Sequence, residues 1–137
     1  MKRIIEYSTI PGTSRHHWGT DIDIIDKNAK RPNDVLVEKN YEVSGAYEPL
    51  KNWMDSHAEE FGFALVYTNI LERKGFKYEP WHFSYKAISS IFLSEYRKID
   101  FTELFRKIDL NGKDYISDLF LQEYYEENIL DINPKLK

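Results

Sequence analysis

Two segments constrain this chain more than anything else in it: Ser14-Arg15-His16-His17-Trp18-Gly19-Thr20-Asp21-Ile22-Asp23 and, further on, Glu79-Pro80-Trp81-His82. Together they hold the residue types of a metal site. A tetrahedral zinc site that performs chemistry takes three protein ligands of the His and Asp/Glu kind and keeps a fourth position open. His16, Asp23 and His82 supply such a set. Ile22, Ile24 and Ile25 predict a strand over Thr20–Ile25, whose alternation puts Asp21 and Asp23 on one face and Ile22 and Ile24 on the other. One of the two aspartates then points at a metal. Gly19 permits a sharp turn between His16 and that strand. Glu79, just ahead of His82, stands close enough to act as a general base on water without being a ligand itself.

These residues carry a resemblance. Ser14-x-His16-x-x-Gly19-x-Asp21-x-Asp23 followed by Glu79-x-Trp81-His82 resembles the Ser-x-His-x-x-Gly-x-Ala-x-Asp and Glu-x-x-His signatures of the VanY-type D-alanyl-D-alanine carboxypeptidases. Two linked motifs in the right order are far more specific than either alone. The resemblance implies that His16, Asp23 and His82 bind Zn2+ and that Glu79 is the catalytic base. It implies a metallopeptidase, a D,D- or L,D-carboxypeptidase acting as a monomer on the stem peptide of bacterial peptidoglycan in the periplasm or cell envelope. Ser14, Trp81 and Tyr85 are candidates for substrate contact or for support of the ligands. Asp21 departs from the pattern, which usually has Ala there. No residue matches the Arg that members of the family carry upstream of the first motif to contact the substrate carbonyl, and the chain begins shortly before Ser14. Arg15, Arg31 or Arg73 could still reach the site from a loop. The gap opens a second reading, a catalytically impaired zinc-containing binding module of the same fold, as in the hedgehog-type domains that resemble this family. Glu79 speaks against it, because a purely structural site needs no base.

At 137 residues the chain predicts one domain spanning 1–137, with a C-terminal helical extension from about residue 98. A hydrophobic content of 42% supports a packed globule rather than disorder. The net charge of −4, with no basic block, argues against a nucleic-acid partner. The absence of cysteine excludes disulfides and thiolate metal sites. No apolar run is long enough to span a membrane, and residues 1–10 are too short and polar for a signal peptide. An envelope location therefore calls for an export address that these residues do not carry.

Residues 1–13 predict a short extended piece ending in a turn at Pro11-Gly12, Lys27–Asp34 a loop, and Val35–Val43 short strands. Leu50, Trp53, Met54, Ala58 and Phe61 recur at helical spacing from about Tyr47, with Pro49 in the first turn and Gly62 at the end. Phe63–Thr68 and Trp81–Tyr85 read as strands, the second with His82 and Ser84 on one face and Trp81, Phe83 and Tyr85 on the other. Leu71–Lys77 reads as a loop at the rim of the site. Lys86–Tyr96 and Asp114–Asn128 read as helices joined through a short Phe101–Ile108 segment and a turn at Asn111-Gly112, with a frayed tail after Asn133-Pro134. The sum is an α+β fold, a small and mostly antiparallel sheet with flanking helices of the hedgehog and DD-peptidase kind. His17 is expected in a packing or ligand-supporting role and His57 at the surface or boundary. Ser14 lacks the Gly-x-Ser-x-Gly turn of a serine nucleophile. Asp109-Leu110-Asn111-Gly112 does not meet the spacing of a calcium loop. Tyr124-Tyr125-Glu126-Glu127 is read as a half-solvated helix face.

Overall fold

Alternating polar and apolar residues in His82-Phe83-Ser84-Tyr85 suit a strand with two different faces, and this segment is the centre of the sheet. In the computed structural model, which describes residues 4–137, three strands, β1 (Asp21–Asp23), β2 (Phe63–Leu65) and β3 (His82–Tyr85), pair antiparallel in the order β1-β3-β2. Asp21 lies opposite Ser84, Ile22 opposite Phe83 and Asp23 opposite His82. Phe63, Ala64 and Leu65 lie opposite Tyr85, Ser84 and Phe83. The pairing of β1 with β3 brings the two sequence segments together. Asp21, Asp23, His82 and Ser84 share one face, while Tyr85 points to the other and packs on Phe63 at 5.3 Å. The first strand is shorter than the run Thr20–Ile25, although Ile24 still donates its N–H to the Trp81 carbonyl at 3.0 Å.

Among the described residues four α-helices flank the sheet: α1 (Glu48–His57), α2 (Lys86–Tyr96), α3 (Phe101–Lys107) and α4 (Asp118–Tyr124). With the antiparallel sheet they make the α+β fold that the sequence predicts. Pro49 sits in the first turn of α1, which tightens into a 3-10 turn over Ala58–Phe61 and stops at Gly62, held at φ +80° where a residue with a Cβ is strained. The apolar spacing of α1 does not make a buried stripe: Trp53 and Phe61 are exposed and stack on each other at 5.8 Å, with His57 beside them at the boundary.

Several expectations are corrected. Val35–Val43 forms no strand; Glu38–Asn40 is a 3-10 turn, and the Asn40 side chain ties it down by donating to the Asp34 carbonyl at 2.8 Å. Ile4–Glu6 is a 3-10 turn rather than extended chain, and residues 1–3 lie outside the described residues. Phe101–Ile108 contains a true helix, because Asp100 caps it by accepting from the Glu103 N–H at 2.9 Å. The following helix begins at Asp118 rather than Asp114, since Ser117 is the cap, and it loosens into a π-helical turn over Tyr125–Ile129. Within it Tyr124 is core, not half-solvated. The tail is anchored: Ile132 and Leu136 are buried, and Asn133 donates from its backbone to Val66 and from its side chain to the Leu65 carbonyl at 2.7 Å.

The main core gathers Ile10, Ala64, Val66, Tyr67, Phe76 and Leu93 with Phe101, Phe105, Leu121, Tyr124, Ile129, Ile132 and Leu136. The C-terminal third is thus packed against the segment that precedes the first motif. Tyr124 joins the two directly, its hydroxyl accepting the Ile10 N–H at 3.1 Å and bonding Thr13 Oγ1 at 2.7 Å. Among the described residues, no helix is long and apolar enough to cross a membrane.

Candidate metal centre

Ser14 shapes the first half of the site. Its side chain accepts the His16 N–H at 3.3 Å and caps a 3-10 turn over Arg15–Trp18, which ends at Gly19 with φ +70°. That left-handed residue reverses the chain from the turn into β1, so His16 and Asp23 face each other across a short segment. A side chain at Gly19 would meet no neighbour, so the requirement is conformational rather than spatial. His16 Nδ1 lies 3.2 Å from the Asp21 carbonyl oxygen, which is an acceptor, so Nδ1 carries a proton, and Nε2 faces the Asp23 carboxylate 3.4 Å away, to which it donates when the ring is charged and beside which its lone pair can meet a cation when the ring is neutral.

The second half comes from the turn before β3. The His82 N–H donates to the Glu79 carbonyl at 3.1 Å, and this bend returns the Glu79 side chain over the ring, Oε2 to Nδ1 at 2.9 Å. On the other side His82 Nε2 lies 3.0 Å from Asp21 Oδ2. The rings of His16 and His82 stack with centroids 4.4 Å apart, and Tyr67 stands edge-on to His82 at 5.0 Å.

Burial opposes the imidazolium of His82, but the hydrogen bonds to Asp21 and Glu79 outweigh it and push the pKa up to about 9. Burial likewise opposes the charge on Asp21. The bonds from His82 and Ser84 and the charge of Arg15 overcome it and hold the carboxyl well below the usual range. His16 is raised, chiefly by its bond to Asp23, against burial and the nearby His82. Burial pushes the Tyr67 phenol well above its ordinary value, so it stays protonated.

His16, Asp23 and His82 each offer a ligand atom, and these atoms lie within 4.8 Å of one another. The set fits a divalent cation. It has two imidazoles and one carboxylate, with each imidazole held by a hydrogen bond on a second nitrogen, the arrangement that orients metal-bound histidines. The cluster opens on a cavity of about 500 Å³, walled by Tyr67, Phe76, Trp81 and Leu36 and rimmed by Tyr7, Ser8 and Thr9.

The other residues singled out in the sequence divide. Ser14 and Trp81 line the cavity, Trp81 being buried and packed on Tyr41 at 5.7 Å. Tyr85 is not brought to it, because strand alternation sends its side chain to the opposite face. His17 is exposed and takes no packing role. Arg15 does reach the cavity lining, from the 3-10 turn rather than from a loop. It is 2% exposed and points inward, bonding Asp21 at 2.8 Å and Ser84 at 3.2 Å, with its guanidinium over Trp18. Arg73 is spent on main-chain carbonyls of Thr68, Phe76 and Asp131, and Arg31 is exposed and outside the cavity lining. Tyr67 and the Tyr7–Thr9 rim had no signature in the sequence, since nothing in local pattern ties them to a site assembled by tertiary contacts.

Comparison with known proteins agrees in part with this geometry. A family model described as VanY, D-alanyl-D-alanine carboxypeptidase, matches residues 1–88. An uncharacterized protein of Haemophilus influenzae is 28% identical over 123 residues, which covers 88% of this chain and 93% of that protein. No solved structure matches significantly.

Proposed function

Since the chain belongs to the D-alanyl-D-alanine carboxypeptidase family, we propose that it is a zinc-dependent peptidase, a D,D- or L,D-carboxypeptidase that trims the stem peptide of bacterial peptidoglycan. The observation that carries this reading is the convergence of His16, Asp23 and His82 to within 4.8 Å, with the Glu79 carboxylate 2.9 Å from the His82 ring, at one cavity. His16 through Nε2, Asp23 through its carboxylate and His82 hold the ion. Bound there, zinc supplies a Lewis acid that polarises the scissile carbonyl and makes water more acidic. Glu79 is kept out of the ligand set and acts on protons: it accepts one from the attacking water and returns it to the departing amine. Burial of Trp81, Tyr67 and Phe76 around the site lowers the local dielectric, which strengthens each of these interactions. An envelope location follows from the substrate and is part of the same proposal.

One observation favours the second reading, a zinc-containing binding module. Arg73 is taken up by main-chain carbonyls, and Arg15 is clamped on Asp21 and Ser84 with only its buried Nη1 left unpaired, so neither whole guanidinium is free to turn onto the charge that develops on the carbonyl oxygen. A missing donor of that kind typically costs about 10²–10³ in rate. Incubation of zinc-loaded protein with a stem pentapeptide ending in D-alanyl-D-alanine, read by mass spectrometry, separates the two. The peptidase reading expects loss of the C-terminal residue, stopped by a chelator and restored by zinc. A pentapeptide that stays intact with the zinc-loaded protein would overturn it in favour of the binding module.

A further inference from the structure

Asp21 occupies the position where the motif usually carries Ala, and the structure gives it more partners than any other carboxylate in the site. Oδ2 takes the Arg15 Nε–H at 2.8 Å and faces His82 Nε2 at 3.0 Å. Oδ1 accepts from Ser84 Oγ at 2.6 Å, from Thr20 Oγ1 at 2.9 Å and from Arg15 Nη2 at 3.4 Å. The side chain has no solvent exposure at all. Every other neighbour is a donor, and an ionised carboxylate can only accept. His82 must therefore present a proton at Nε2.

The alignment of the three groups follows from the sheet. Asp21 and His82 are diagonal neighbours on one face, Asp21 standing directly opposite Ser84 and Asp23 opposite His82, a spacing across which long side chains meet. Arg15 reaches the same carboxylate from the turn before β1. The clamp thus joins the turn that carries His16 to the strands that carry Asp23 and His82. Nε2 is sealed on the buried side of the ring, whereas Nδ1 faces Glu79, which lines the cavity.

We propose that Asp21 is a positioning residue for the metal: it holds the Nε2 proton of His82 and so commits Nδ1, the nitrogen on the cavity side, to coordination. The inference rests on the reading of His16, Asp23 and His82 as a zinc site. It also gives Arg15 a function, since a guanidinium clamped on Asp21 fixes which way the carboxylate points. This chain reaches the required histidine orientation through its own carboxylate, a residue type that the usual Ala at that position does not offer.

The substitution Asp21→Asn gives a sharp test because it keeps the shape and removes the charge. Arg15 Nε and His82 Nε2 face the same oxygen, Oδ2, so the amide oxygen takes that place and the NH2 takes the place of Oδ1, opposite the Arg15 Nη2–H, which is itself a donor. The clamp is thereby broken on one side, and a neutral oxygen holds the Nε2 proton of His82 less firmly, so Nδ1 is no longer committed to the metal. Zinc affinity, measured by competition with a chromophoric chelator, should fall by about 10–100-fold, the usual effect of losing a group that orients a ligand. Tyr85→Phe removes a hydroxyl on the opposite face of β3 and leaves the clamp untouched, and its zinc affinity should stay close to that of wild type. The decisive readout needs no variant: long-range proton–nitrogen correlation spectra of the zinc-loaded wild-type protein should show His82 protonated at Nε2 and metal-bound at Nδ1. A metal-bound Nε2, an Asp21→Asn variant with wild-type affinity, or an equal loss in Tyr85→Phe would overturn the assignment of Asp21 while leaving the zinc site standing. A wild-type protein that takes up no zinc would overturn both.

Discussion

A guanidinium 2% exposed to solvent is tolerable only if its charge is met, and Arg15 meets it with Asp21. Removing one member of such a pair strands the other, so Arg15→Met, which keeps much of the stem, should destabilise the metal-free protein by about 3–5 kcal/mol in urea titration. A change within error would mean that Asp21 is satisfied by Ser84, Thr20 and His82 alone. The histidine makes a pH prediction. His82 is raised from 6.5 to about 9, so its contribution to stability in the metal-free protein is fully present below pH 6.5 and is lost as pH rises through 9. Asp21 is lowered from 3.8, so its contribution is present above that value and is lost only in stronger acid. Metal-free protein should therefore melt at progressively lower temperature from pH 6.5 to pH 9. Zinc must displace a proton from the His82 ring, so its affinity should rise across the same window. An affinity flat over that range, measured by chelator competition, would contradict the assignment of the raised value to this ring.

The elements that place the site were legible where local pattern decides them. The alternation in His82-Phe83-Ser84-Tyr85 was enough to put His82 and Ser84 on one face, and the same rule applied to Asp21-Ile22-Asp23 put both aspartates there. What the pattern could not show was which aspartate faces which group, because that depends on the register with β3. Val35–Val43 misled because its scattered apolar residues suggest strand, whereas Asn40 ties the backbone into a turn with its side chain. The tail misled in the opposite sense. Asn133-Pro134 reads as a chain end, yet Leu136 is fully buried and Asn133 bridges to β2 and the residue beyond it. Tyr124 is the clearest link between an element and the site, because its hydroxyl accepts the buried Ile10 N–H and bonds Thr13, next to the cap Ser14. Tyr124→Phe leaves that N–H without a partner and should cost about 1–3 kcal/mol in a urea titration. Unchanged stability would show that the segment leading into the first motif is held by packing alone.

At the scale of the whole molecule, the family match ends at residue 88, but the core does not. Of the thirteen buried residues of the main core, seven, from Phe101 to Leu136, lie in the C-terminal third. A chain cut after Lys98 should therefore lose its cooperative melt, and a truncated protein that still melts sharply would show that this third is an appendage. The candidate metal centre is equally a product of the whole fold: its residues come from a capped turn, an outer strand and the central strand. The residue types and their order were legible in the motifs, whereas the cavity walls were not, because Tyr67, Phe76 and Tyr7 meet the site only through tertiary packing. The carboxylate of Glu79 lies 2.9 Å from His82 Nδ1 and has either a proton-transfer role or merely an orienting one. The measurement that decides between them is the rate of stem-peptide cleavage per bound zinc in Glu79→Gln, with zinc content determined on the same preparation. Wild-type zinc content and a fall in rate of about 10²–10⁴, the loss that follows removal of a general base, are the expected result. Reduced zinc content with full activity per bound zinc would contradict it and leave Glu79 as a support for His82 alone.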